Sequence, residues 1–270
     1  MRITTLRDRP IAEIPFLNAG KGAGGYYVER LPIQAAEIAG LPDSLDALIA
    51  TADLQGRERL PLTPQCPPRL LGEVLPEILC EEILPMLDVA PERTGVILAG
   101  DFYTVPALDK RGGSGDVIDV WKAFGRKFRW SAGIAGNHDR FGDHLHPQVR
   151  MAANLHYLEG RTAELDGLKV AGLGGMVGNP SKSHRRTILE YVERLADLLD
   201  TSVDLLVMHD GPAGSAPGQL GYPDLNESLE LLPPTLIVRG HAHWKDALAE
   251  LPIGAQILNV DCRAVILTRT

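Results

Sequence analysis

Five short apolar runs in this chain each stop on an Asp, Asn or His, and that recurrence limits what the chain can fold into. Leu45 to Ala52 leads into Asp53-Leu54-Gln55, Thr94 to Ala99 into Gly100-Asp101, and Phe128 to Ala135 into Gly136-Asn137-His138-Asp139. Asp204 to Met208 leads into His209, and Thr235 to Val238 into Gly240-His241-Ala242-His243. Runs this short and this apolar read as buried strands of a parallel or mixed sheet. Open α/β sheets build their sites beyond the carboxyl ends of such strands, so polar residues far apart in sequence can converge on one edge.

The segments between the runs support an α/β layering. Pro67 to Leu87 has apolar residues at helical spacing, with Pro76 and Pro85 expected to kink or divide it. A helix beginning at Asp116 carries Val117, Val120, Trp121 and Phe124 on one face, and Thr187 to Leu199 is a further helix. Asn154 to Leu158 and Arg161 to Leu173 read as strands, the latter folded about Asp166-Gly167. Ala247 to Leu251, Ala255 to Val260 and Ala264 to Thr268 read as an antiparallel meander completing a second sheet. Gly20 to Gly25 lacks the Gly-Lys-Ser/Thr ending of a phosphate loop and reads as a turn or hairpin loop. The expected organisation is one domain over 1–270, with a core over 45–270 and residues 1–44 as an extension packed on or beside it.

The formal charge of -8 argues against a general nucleic-acid binder, which needs a basic excess to neutralise phosphates. Three cysteines, Cys66, Cys80 and Cys262, without CxxC spacing suit structural thiols in a reduced compartment. No apolar run approaches a membrane span and Met1 to Leu17 lacks a signal-peptide core, so the expected location is the cytoplasm, without membrane partners.

Hard oxygen donors mixed with imidazoles suit divalent ions of the Mn, Fe, Zn class, and the supply exceeds one tetrahedral site. Two neighbouring ions sharing a carboxylate would use it. In order and combination these blocks resemble the calcineurin-like metallophosphoesterase superfamily, whose pattern runs Asp-x-His, Gly-Asp, Gly-Asn-His-Asp/Glu, His, Gly-His-x-His. The resemblance covers about residues 45 to 262. It implies a four-layer α/β/β/α sandwich of two mixed sheets flanked by helices. It also implies one metal held by Asp53, Gln55, Asp101 and His243, and another held by Asp101, Asn137, His209 and His241. The ions expected are Mn first, with Fe, Zn or Ni as alternatives. A hydroxide bridging the two ions is the implied nucleophile on phosphorus, and His138 the implied phosphoryl stabiliser or general acid. Asp139 is positioned in sequence to fix the tautomer of that imidazole or to cap a following helix.

The chain departs from the pattern at Gln55, where a neutral carbonyl oxygen replaces an imidazole and predicts a weaker or differently selective first site. Tyr103 lies two residues after Asp101 and is read as packing or as substrate wall rather than as a ligand. Protein phosphatases of the superfamily carry Gly-Asp-x-Val-Asp-Arg-Gly, which Gly100-Asp101-Phe102-Tyr103-Thr104 does not match. The expected substrate is therefore a small phosphorylated molecule, a phosphodiester or phosphomonoester. Arg57, Arg140, Lys182 and Arg185 are candidate substrate-binding cations. His144, His146 and His156 have no motif support and read as surface or structural. The alternative is a catalytically degenerate scaffold of the same fold used for protein binding.

Overall fold

A computed structural model describes residues 1–20, 25–60, 68–147, 152–230 and 234–270. The strands are β1 (Arg2–Leu6), β2 (Ala12–Ala19), β3 (Tyr26–Ala39), β4 (Ala47–Ala52), β5 (Thr94–Leu98), β6 (Gly115–Asp116), β7 (Trp130–Gly133) and β8 (Asp139–Arg140). They continue with β9 (Leu155–Tyr157), β10 (Arg161–Leu165), β11 (Leu168–Leu173), β12 (Met176–Val177), β13 (Arg185–Arg186) and β14 (Leu205–Met208). β15 (Leu236–Arg239), β16 (Leu248–Glu250), β17 (Gln256–Asn259) and β18 (Arg263–Arg269) complete the set. The α-helices are α1 (Leu71–Ile78), α2 (Ile118–Lys127), α3 (Ile188–Leu198) and α4 (Pro223–Leu229). Pro76 falls inside α1, and Pro85 opens a tight helical turn, Leu84–Leu87, beyond a wide one at Leu79–Ile83, so the prolines divide this stretch as expected.

An eight-stranded sheet has the order β1-β3-β18-β4-β5-β7-β9, with β2 sharing the β1 edge of β3. A six-stranded sheet has the order β10-β11-β14-β15-β17-β16. Two residue sets alternate along each inner strand, as the pleat requires. In β4, Ala47 and Ile49 face a core shared with Leu75 of α1 and Trp121 and Phe124 of α2. Leu48, Ala50 and Ala52 face a second core, where they meet Val207 of β14, Val238 of β15 and Leu258 of β17. Leu206, Ile237 and Ile257 point the other way, toward Tyr191 and Leu195 of α3 and Leu225 of α4. Three apolar seams between four layers make the α/β/β/α sandwich.

Residues 1–44 supply three strands of the first sheet. Pairing of β2 with β3 makes a hairpin across 20–25, of which residues 21–24 lie outside the described residues. The tail differs from the single meander expected. β16 and β17 pair antiparallel in the second sheet, but β18 returns to the first, antiparallel to β4 and parallel to β3. The reason is apolarity on both faces. Ala264 and Ile266 enter the helix-side core while Val265 and Leu267 enter the inter-sheet core, which suits only an interior strand. Cys80 and Cys262 are free, half-buried thiols, and Cys66 lies outside the described residues.

Candidate metal centre

β4, β5 and β7 run parallel, and so do β14, β15 and β17, so six carboxyl ends gather at one side of the sandwich. The chain leaves those ends through unusual backbone. Asp53, Asp101 and His241 have φ of 56°, 59° and 68°, the left-handed region that non-glycine residues seldom occupy. Glycines permit the approach of the loops. A Cβ on Gly240 would lie 2.4 Å from Asp53 Oδ2, and one on Gly100 would lie 2.3 Å from the Gly136 nitrogen.

Asp101, His209 and His241 bring one ligand atom each within 4.8 Å of one another. Asp101 is 2% exposed and His209 fully buried. The His209 ring donates Nδ1–H to the Ala99 carbonyl at 2.9 Å, which sets its Nε2 3.3 Å from Asp101 Oδ2. Neither His209 Nε2 nor the Oδ1 of Asn137, both buried, has a hydrogen-bond partner among the described residues. A buried amide oxygen without a partner, in one site with a carboxylate and two imidazoles, fits a divalent cation. The backbone N–H of His241 holds Asp53 Oδ2 at 2.9 Å.

The electrostatics agree with this donor set. Burial would raise Asp101, but the His209 and His138 imidazoles outweigh it and hold the carboxyl at about 2. Asp53 is pushed well above its usual range, mainly by burial and despite the pull of His209. Burial lowers the His209 ring, yet the Asp101 and Asp53 carboxylates bring it up to about 10. Cations bound there would replace the charge that this imidazolium supplies to the two aspartates.

His138 lines the same cavity of about 300 Å³ as Asp53, Gln55, Asp101 and His241. Its backbone N–H donates to Asp101 Oδ1 at 2.8 Å. Asp139 does not reach the His138 ring, contrary to the orienting role expected of it, and it caps no helix. Its carboxylate is 1% exposed and accepts from the backbone N–H groups of Asp101 at 2.7 Å, Phe102 at 2.8 Å and Gly136 at 3.0 Å. Asp139 therefore ties the second block to the third. Burial first, then the Asp101 charge, raises its pKa to about 6 against those amides.

A family model described as calcineurin-like phosphoesterase matches residues 50–245. The chain belongs to this family. Metal-dependent phosphoester hydrolysis is the chemistry associated with it, and its members typically bind divalent metals. A crystal structure of TT1561 from Thermus thermophilus shares the fold, with a TM-score of 0.50 and 13% identity over 81% of this chain and 90% of that one. No curated protein matches the chain significantly.

Against the metal pattern of this phosphoesterase family, two expected ligands stand differently. Gln55 reaches the site, where its Nε2 donates to Asp101 Oδ2 at 3.2 Å. His243 is exposed, its Nδ1 held 3.0 Å from Asp261 Oδ2. The substrate cations are dispersed. Arg57 is buried, donates to the carbonyls of Pro68 and Thr104, and lies over the Tyr103 ring, so it organises loops instead of facing substrate. Arg140 sits on the short β8 beside β6. Lys182 and Arg185 line a separate cleft with His146 and His184. Tyr103 fills the space above Gly115.

Sequence reasoning missed Asn18, Glu29, Asp261 and Cys262, which share the metal cavity. Asp261 had a legible signal, since the run Ala255 to Val260 also ends on an acid. Asn18 and Glu29 had none, because only the β2–β3 pairing brings the N-terminal hairpin to this edge. The buried pair of Arg239 and Asp210, 3.5 Å apart beneath the His241 loop, was also missed.

Proposed function

We propose that the chain is a metal-dependent hydrolase of a small phosphorylated ester, a phosphodiester or phosphomonoester. The observation that carries this reading is the convergence of Asp101, His209 and His241 within 4.8 Å, with the buried, unpartnered Asn137 Oδ1 beside them and His138 in the cavity that Asp101 lines. Asp101, Asn137, His209 and His241 would hold one divalent ion, and Asp53, Asp101 and His243 a second. Bound there, such ions polarise a phosphoryl oxygen and make water nucleophilic near neutral pH.

The protein's own groups do the rest. Asp101 and Asp53 set the negative charge of the site, while Asn137 and the imidazoles add donors without charge. His138 is the residue free to handle protons. Its ring bears on the phosphoryl oxygen or delivers a proton to the leaving alkoxide, a contribution of about 10²–10⁴ in rate. The deciding experiment measures metal content and the hydrolysis of aryl phosphate mono- and diesters with Mn, Ni, Zn or Fe added. Cleavage of either ester supports the reading, and absence of both binding and cleavage ends it. In His138→Ala turnover should fall about 10²-fold or more while metal content stays at the wild-type level. Loss of the metals in that variant would place His138 among the ligands instead.

A further inference from the structure

The first metal site has lost its imidazole at position 55, where the Gln55 amide reaches Asp101 instead. A carboxylate stands nearby from a strand that none of the five expected blocks includes. Asp261 follows β17, the neighbour of the strand that ends in His241 and His243. It lines the cavity with Asp53, Gln55 and Asp101. Its position is fixed from two sides, because its backbone N–H donates to Asn259 Oδ1 at 3.2 Å and residue 261 bridges Ala52, immediately before Asp53. Its side chain is 13% exposed, and Oδ2 meets His243 Nδ1 at 3.0 Å.

We propose that Asp261 is a positioning residue of the first metal site, which holds His243 through Nδ1–H and so presents Nε2 to the cation in place of the support lost at Gln55. This inference rests on the metal-dependent reading above. A carboxylate behind a ligating imidazole fixes its tautomer, turns its ring and makes it a stronger donor. An exposed histidine such as His243 otherwise gives up rotamer freedom to reach a metal. Asp261 also adds a carboxylate to a cavity that Glu29, Asp53 and Asp101 line. The site thereby favours hard divalent ions such as Mn over Zn.

The test titrates metal-free protein with Mn(II) and follows free Mn(II) by electron paramagnetic resonance. Wild type should take up two equivalents, and Asp261→Asn, which keeps the shape but loses the charge, should weaken one of them about 10-fold or more while sparing the other. Adding Gln55→His to Asp261→Asn should recover the weakened equivalent, a rescue that a merely structural role for Asp261 would not produce. Two equivalents bound as in wild type by both Asp261→Asn and Asp261→Ala would overturn the role of Asp261 and leave the hydrolase reading standing. Failure of wild type to bind any of Mn(II), Ni(II), Zn(II) or Fe(II), together with absence of ester cleavage, would overturn both. Independently of any variant, ¹⁵N NMR of the metal-free chain should find His243 as the Nδ1–H tautomer, and the Nε2–H form would count against the proposal.

Discussion

Gly136 lies under the Asp101 carboxylate so closely that a Cβ there would sit 2.0 Å from Oδ1 and 2.5 Å from the Asp101 nitrogen. Neither atom can move aside cheaply, since the nitrogen is bound to Asp139 and Oδ1 accepts from His138. Gly136→Ala should therefore destabilise the chain by about 1–3 kcal/mol, the usual cost of overpacking. It should also reduce metal uptake, because Asp101 is the carboxylate that has to shift. Urea unfolding and metal analysis of one preparation would check both, and unchanged metal content would free Asp101 from the bridging role. This residue scale is where the sequence was most and least informative. The candidate cluster of Asp101, His209 and His241 was legible because each is a donor at a strand end, and both conditions are local. The work of Asp139 was not, since its amide partners lie up to 38 positions away. Nor did anything local reveal that Gln55 reaches Asp101.

Between residues and molecule, the β10–β11 hairpin joins the two sheets through its turn. Asp166, at φ 52°, accepts from Arg129 Nε at 2.7 Å and Nη2 at 2.6 Å, and from Trp130 Nε1 at 2.7 Å, so a turn of the second sheet grips the start of β7 in the first. The bond to Arg129 foremost, with Trp130 helping against burial, lowers the Asp166 carboxyl pKa. A depressed folded value means that the stability is present above the unfolded pKa of about 3.9 and is lost as pH falls through the folded one. Asp166→Asn tolerates the left-handed backbone but loses the charge. It should cost about 1 kcal/mol at pH 7, held to the surface-pair range because Arg129 is partly exposed. The deficit should vanish in acid below the folded pKa, as thermal unfolding over a pH series would reveal. A constant deficit would assign the effect to the turn itself. The turn Asp166-Gly167 was readable from its residue types, whereas its ion pair across the sheets was not. For the same reason α2 and α3 were legible from their apolar spacing, while the return of β18 to the first sheet depended on partners more than 200 positions away.

On the scale of the molecule, the candidate metal centre is where the sandwich closes. Asp53, Asp101 and Asn137 belong to the first sheet's strand ends, and His209 and His241 to the second's, with Leu258, Val207 and Ala52 packed between the sheets. Any ion held by both groups adds a link between layers that the apolar seam and the Asp166 turn already join, and it binds the folded chain in preference to the unfolded one. The stabilisation follows from mass action, about 2.7 kcal/mol at free metal 100-fold above Kd for one site. A chain of this size converts that to a rise in Tm of roughly 5–10 °C, at about 2–4 °C per kcal/mol. Removal of divalent ions with a chelator should therefore lower the wild-type Tm by that amount, and restoring Mn(II) should recover it. Asp101→Asn is the control that separates this linkage from a general effect of the chelator. The variant keeps the shape of Asp101 but weakens the shared carboxylate, so calorimetric scans with and without metal should nearly coincide. Equal metal-induced shifts in wild type and variant would mean that the stabilising ion sits elsewhere, and that the two sheets meet at this edge without being joined through it.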